Sequence, residues 1–298
     1  MTYNFNVNTL PRNLPGNPEI RIIGARSAGK TTYLSALARY PNARQDSPIQ
    51  NIHPFNENAA RLISMATDIL ENGLSLAPTR KEEINNVPTY TFLIELKSKI
   101  FSRKNLRFQI SLREYCGEII KDLLYDTDIA NYTLRTYLDD CAEASGILLL
   151  IDGTSREDDL YAQAFTHLQI ELNERLISRN RRLRNYRIAV AFTKAEQAEV
   201  WVYRHNIKEF INLHFPQMQS TLSAWAKTWG CPVNHFFCSA FGMKGYPPQP
   251  NIKAQKRDNS GVSGIIANPS VWRPFGLVAP IYWLHTGKDN QKLRDIEE

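Results

Sequence analysis

Residues 24–31, Gly-Ala-Arg-Ser-Ala-Gly-Lys-Thr, match the pattern GxxxxGK[ST], in which small residues let backbone amides curl around phosphate oxygens. In that chemistry Gly24, Ala25, Arg26, Ser27, Ala28 and Gly29 form the cradle, and Lys30, Thr31 and Thr32 open a helix whose N-terminus favours negative charge. Lys30 would reach the β- and γ-phosphates, and Thr31 would ligate Mg²⁺ through its hydroxyl. Arg26 lies in the variable part of the loop, near the expected γ-phosphate, and either acts as an arginine finger in cis or points into solvent. The pattern by itself leaves ATP and GTP both open.

Such a loop needs a strand before it and a helix after it. Glu19–Ile23 reads as a short strand, and Thr31–Tyr40 as a helix stopped by Pro41. Residues 1–18, rich in Asn and Pro without apolar periodicity, are expected to form a flexible arm. Residues 41–88 read as a long insertion holding one helix, marked by Leu62, Ile63, Ala66, Ile69 and Leu70 and stopped at Gly73. Thr89–Lys97 and Leu106–Arg113 are joined by a connection too short for a crossover helix, so they should pair antiparallel.

Asp126–Ser145 reads as a helix, and Gly146–Asp152 as a parallel strand buried on both faces. Leu160, Ala164, Leu168, Leu172 and Leu176 then mark a long amphipathic helix. Strands are expected at Arg187–Phe192 and Asn234–Cys238, with helices at Tyr203–His214 and Met218–Trp229 between them. Residues 243–264 read as a mobile loop, and Pro274–His285 as a closing helix. The series implies a three-layer α/β P-loop fold over 19–298: a mostly parallel six-stranded sheet with one antiparallel strand and helices on both faces.

Three further segments carry a family resemblance. Glu114-Tyr-Cys-Gly117-Glu118 follows the antiparallel pair, where Ras-like and translation-factor-like GTPases carry DxxG. Thr193-Lys194-Ala-Glu196 ends a later strand, where they carry [NT]KxD, and Ser239-Ala240 follows the last strand, where they carry a short Ser-Ala loop. In order and strand context the chain resembles a TRAFAC-class GTPase, with Glu replacing Asp at two motifs. Leu76-Ala-Pro-Thr79 and Trp272-Arg-Pro-Phe-Gly-Leu277 are similar to segments of the bacterial double-GTPase group.

The resemblance implies GTP and GDP as ligands with Mg²⁺ as cofactor. Thr79 becomes the candidate switch I threonine on the metal, Glu114 its water-mediated ligand, and the Gly117 amide a γ-phosphate donor. Glu118 occupies the position of the water-positioning glutamine, where an anion also repels the γ-phosphate, so slow hydrolysis is expected. Glu196 would accept the N1 and N2 hydrogens of guanine, Lys194 would lay its stem on the base, and Ala240 would donate its amide to O6, with Ser239 supporting the turn. The implied function is a slow GTPase switch in bacterial-type signalling, with a protein effector or second GTPase as partner. Alternatives are a nucleotide-binding scaffold without turnover and a P-loop ATPase.

Composition restricts the other classes. With 43% hydrophobic and 22% charged residues in 298, the chain is an ordinary folding sequence rather than a disordered or fibrous one. Its longest apolar run, Ile147–Ile151, is far short of a membrane span. The N-terminus lacks a cationic start and an apolar core, Thr2 excludes N-myristoylation, and a cytoplasmic location is expected. Four cysteines without CxxC spacing are expected to be reduced, and Cys231, His235 and Cys238 match no strong zinc pattern. The net charge of +6 and the cluster Arg179, Arg181, Arg182, Arg184 and Arg187 read first as a solvated, dipole-favoured helix end rather than a nucleic-acid surface.

Overall fold

The computed structural model describes residues 18–40, 48–74, 86–97, 106–125, 132–257 and 261–294. The first half runs β1 (Glu19–Ile23), α1 (Lys30–Arg39), β2 (Ile49–Pro54), α2 (Glu57–Glu71), β3 (Thr89–Leu96), β4 (Leu106–Glu114), α3 (Ile119–Tyr125), α4 (Tyr132–Glu143) and β5 (Gly146–Asp152). It continues with α5 (Asp158–Ser178), β6 (Arg187–Thr193), α6 (Ala198–Trp201), α7 (Ile207–His214), α8 (Pro216–Trp229) and β7 (Val233–Phe237). Four short strands follow, β8 (Met243–Lys244), β9 (Gln249–Pro250), β10 (Ile252–Arg257) and β11 (Gly261–Ile266), and the helices α9 (Ala279–Thr286) and α10 (Gln291–Arg294) end the series.

The main sheet has seven strands in the order β2-β3-β4-β1-β5-β6-β7. β3 is antiparallel to both neighbours, while β4, β1, β5, β6 and β7 pair in parallel, so β3 alone runs against the rest. The expected single antiparallel strand is therefore present, but the count of six is corrected to seven. The addition, β2, lies in the segment read as an insertion. Its sequence, IQNIHP, buries only Ile49 and Ile52 and carries Pro54, as suits an edge strand rather than a recognisable core one.

The two faces are set by alternation along the strands. Ile20 and Ile22 of β1, with Leu148 and Leu150 of β5, pack into the layer that contains α1, α2 and α9. Ile23, Ile147, Leu149 and Ile151 turn the other way, into the layer of α3, α4, α5, α7 and α8. Burial on both faces explains the unbroken apolar run of β5 and places the loops at the carboxyl ends of β1, β5, β6 and β7 side by side.

Two other expectations are corrected. Residues 243–264, read as a mobile loop, contain two antiparallel pairs, β8 with β9 and β10 with β11. A short ribbon with few apolar residues lacks the alternation by which strands are recognised. The closing helix begins at Ala279 rather than Pro274, because Phe275 forms a bridge with Ser239 instead. Thr79 and residues 126–131 lie outside the described residues.

The arginine cluster is largely absorbed by the fold. Arg181 donates to the carbonyls of Ala142 and Ala144, both at 2.5 Å, Arg187 donates to Leu284 O at 2.8 Å, and Arg179 pairs with Asp139 at 3.0 Å. These cations satisfy helix-end carbonyls and a carboxylate, as a dipole-favoured position should. Among the described residues, no helix is long and apolar enough to cross a membrane.

Candidate functional site

β1 delivers the chain into a loop that only small residues can form. A Cβ on Gly24 would stand 2.5 Å from Leu150 O, and Gly29 has φ +81°, so these two glycines answer a close approach and a left-handed turn respectively. Ser27 is also left-handed, with φ +66°. Helix α1 then starts at Lys30 without a side-chain cap and without an acidic residue in its first turn. Its leading amides are left for an anion.

Lys30, only 8% exposed, donates from Nζ to Gly24 O at 2.8 Å and Ala25 O at 3.1 Å, which holds the ammonium across the loop. Burial pushes its pKa down, and the Glu114 carboxylate opposes that shift. Thr31 Oγ1 donates to Glu114 Oε1 at 2.8 Å, so the hydroxyl and the carboxylate predicted to serve one metal are adjacent. Burial raises the Glu114 carboxyl, offset in part by Lys30 and by the Thr31 bond. Two hard oxygen donors of this kind fit Mg²⁺, which takes oxygen ligands and keeps several waters.

Gly117 presses its backbone on the same loop. A Cβ there would lie 2.6 Å from Arg26 N and 2.7 Å from Arg26 Cα, so the turn after β4 packs directly on the P-loop. The Arg26 and Glu118 side chains are exposed, and neither lines the cavity described below.

At the other end, Thr193 Oγ1 lies 2.9 Å from Ala28 O and 3.1 Å from Ile151 O, linking β6 to the P-loop and to β5. Lys194 turns in the left-handed region at φ +57°, and its ammonium pairs with Asp152. Asp152 in turn accepts from the Thr154 amide at 3.0 Å and the Thr154 hydroxyl at 2.8 Å. Glu196 is 1% exposed, and neither of its carboxylate oxygens makes a well-formed hydrogen bond, although Ser239 and Gln197 lie close enough to favour its charged form. Burial accordingly pushes its pKa up. Buried polar atoms are nearly always paired, so a carboxylate without a well-formed bond marks a place where donors are missing.

One cavity of about 370 Å³ joins the two ends, within the usual range for a small-molecule site. Ser27, Gly29, Lys30, Thr31, Thr32 and Glu114 line its P-loop end, and Thr193, Lys194, Glu196 and Ala240 its other end. Sequence reasoning missed the apolar wall, supplied by Ile69 of α2, by Phe241 and by Ile252 of β10. No motif marks those residues, which reach the cavity only through tertiary packing. Asp152 was also missed, although its place at the end of β5 beside Thr193 is a signal that the strand pairing makes visible.

The four cysteines are free and buried. His235, pushed down to about 4 by burial and by Arg294, stacks on the Phe192 ring. Among the described residues, no group of three or more His, Cys, Asp and Glu is arranged to hold a metal ion.

No family model matches the sequence. No curated protein matches it either. Among solved structures, the chain is similar to the signal recognition particle receptor SRb-GTP/SRX complex from Chaetomium thermophilum, with 12% identity and a TM-score of 0.41 over 77% of this chain and 93% of that one. It is also similar to the S. cerevisiae Ski7 GTPase-like domain bound to GTP, with 14% identity and a TM-score of 0.33 over 75% of this chain and 43% of that one. A third is a GTP-binding protein from the archaeon Sulfolobus solfataricus in complex with GDP, with 16% identity and a TM-score of 0.33 over 75% of this chain and 47% of that one. The chain spans less than half the length of the latter two. Its three-layer α/β P-loop architecture is read from its own strand order and loop geometry.

Proposed function

We propose that this protein binds GTP and GDP with Mg²⁺ and acts as a slow GTPase switch of the TRAFAC class. One observation carries the reading: Glu196, whose buried carboxylate makes no well-formed hydrogen bond, lines the same cavity as Lys30. Guanine offers two adjacent N–H donors to such a group, whereas adenine offers no such pair. Satisfying a buried carboxylate in this way turns a desolvation cost into base selection.

Thr31 and Glu114 are the residues that would hold Mg²⁺, which neutralises charge on the β- and γ-phosphate oxygens when bound. Lys30 contributes a buried positive charge at the phosphates, and the uncapped first turn of α1 contributes amides. Gly117, in contact with Arg26, is the point where loss of the γ-phosphate would be felt by the segment after β4. Switching of this kind, in bacterial-type signalling with an effector or second GTPase, is the biological role proposed. Buried free thiols fit the reducing cytoplasm.

The scaffold reading, binding without turnover, is favoured by one observation: Arg26 and Glu118, the two side chains offered for hydrolysis beside Lys30, are both exposed. Identifying the nucleotide retained by purified protein, then comparing GTP and ATP affinity with and without Mg²⁺, tests the main reading. The expected result is Mg²⁺-dependent GTP binding with weak ATP binding. Phosphate release above that of Lys30→Ala supports the switch, and tight binding with none supports the scaffold.

A further inference from the structure

The strap between β11 and α9 is built onto the loop that follows β7. Phe275 N donates to Ser239 O at 3.1 Å, and Ser239 N donates to Phe275 O at 3.0 Å. Trp272, 3% exposed, donates from its indole Nε1 to Ala240 O at 2.8 Å. Ser239 Oγ accepts from the Gly242 amide at 2.7 Å. The fit leaves no room for alternatives: a Cβ on Gly242 would meet Arg273 O at 1.9 Å, and one on Gly276 would meet Phe237 O at 2.0 Å.

These bonds determine where one amide points. Ser239 C=O and Ala240 N–H belong to the same peptide unit, and in a trans peptide they point in opposite directions. With Ser239 O committed to Phe275, the Ala240 N–H is turned away from the strap. It makes no hydrogen bond among the described residues, and Ala240 lines the cavity. Trp272 fixes the next peptide unit by holding Ala240 O. On its far side the indole ring is covered by the Arg39 guanidinium, 4.8 Å from the ring centroid, and Arg39 ends the helix that starts at Lys30.

We infer that Trp272 is a positioning residue for base recognition: by holding Ala240 O it fixes the peptide that follows the one aimed by the Ser239–Phe275 pair, and so keeps the Ala240 N–H presented to the purine six-position carbonyl. This rests on the guanine reading of the cavity and adds to it a residue that touches no nucleotide. A donor held in place before binding contributes more affinity than one ordered by the ligand.

The test pairs Trp272→Phe, which keeps an apolar ring and removes the N–H, with two nucleotides. GTP carries the six-position oxygen, and 6-thioguanosine triphosphate replaces it with a weakly accepting sulfur while keeping the N1 and N2 hydrogens that Glu196 would read. Loss of one neutral hydrogen bond's worth of positioning should weaken GTP roughly three- to tenfold and leave the analogue nearly unchanged. Equal weakening of both, or of neither, overturns the inference. Failure of the unaltered protein to bind GTP at all instead overturns the guanine reading. Should the variant not fold, the assigned Trp272 indole N–H resonance of the unaltered protein decides: a larger shift with GTP than with the analogue supports the role, and equal shifts reject it.

Discussion

Thr193 donates its hydroxyl to the carbonyl of Ala28 at 2.9 Å across 165 positions of sequence, so the strand that leads into Lys194 and Glu196 is tied to the glycine-rich loop after β1. A nucleotide spanning both ends would meet a frame already closed by protein contacts.

Thr193→Val keeps the shape and removes the donor, leaving the buried Ala28 carbonyl without the Thr193 hydroxyl. The expected cost is about 1–3 kcal/mol of stability, read by chemical denaturation. GTP affinity should fall as well, since the two ends of the cavity lose their connection.

Lys30→Ala removes the buried ammonium from Gly24 O and Ala25 O. Charge-assisted bonds to phosphate are worth about 1.5–3 kcal/mol each, so triphosphate affinity should drop at least tenfold by calorimetry. Retention of full affinity would remove the phosphate from this loop.

Glu196→Gln separates binding from stability. Burial raises the carboxyl above its ordinary 4.5, so over the window from there up to the raised value the folded chain holds a proton that the unfolded chain has released. Stability of the ligand-free protein from this group is therefore fully present below about 4.5 and is lost as pH climbs through the raised value. The variant should show a shallower decline over that window than the unaltered protein, measured by urea denaturation at a series of pH values. Its GTP affinity at neutral pH should nevertheless fall about ten- to hundredfold, because an amide cannot accept both guanine hydrogens.

Gly117→Ala places a methyl 2.6 Å from Arg26 N, against the backbone of Ala25 and Arg26. Something must move, at a cost of about 1–3 kcal/mol. Thermal denaturation should show lower stability, and single-turnover assays should show slower GTP cleavage than in the unaltered protein.

The sequence by itself determined the P-loop, the strand and helix around it, the antiparallel pair and the unbroken central strand. Each rests on local chemistry: glycines where the backbone must turn left-handed or approach Leu150, and apolar continuity where both faces of β5 are covered. It also placed Thr193, Lys194, Glu196 and Ala240, because their motif sits at strand ends that parallel pairing sets beside the loop. Only the tertiary structure decided the rest. β2 and the β10–β11 ribbon owe their order to neighbours rather than to their own weak patterns, and Ile69, Phe241 and Ile252 enter the cavity from three separate elements. That the Glu196 carboxylate is buried without a well-formed hydrogen bond, and that Trp272 holds Ala240 O, are facts of contact between distant segments. Local residue order carries no record of them, because burial and hydrogen-bond pairing are settled only when the whole sheet closes.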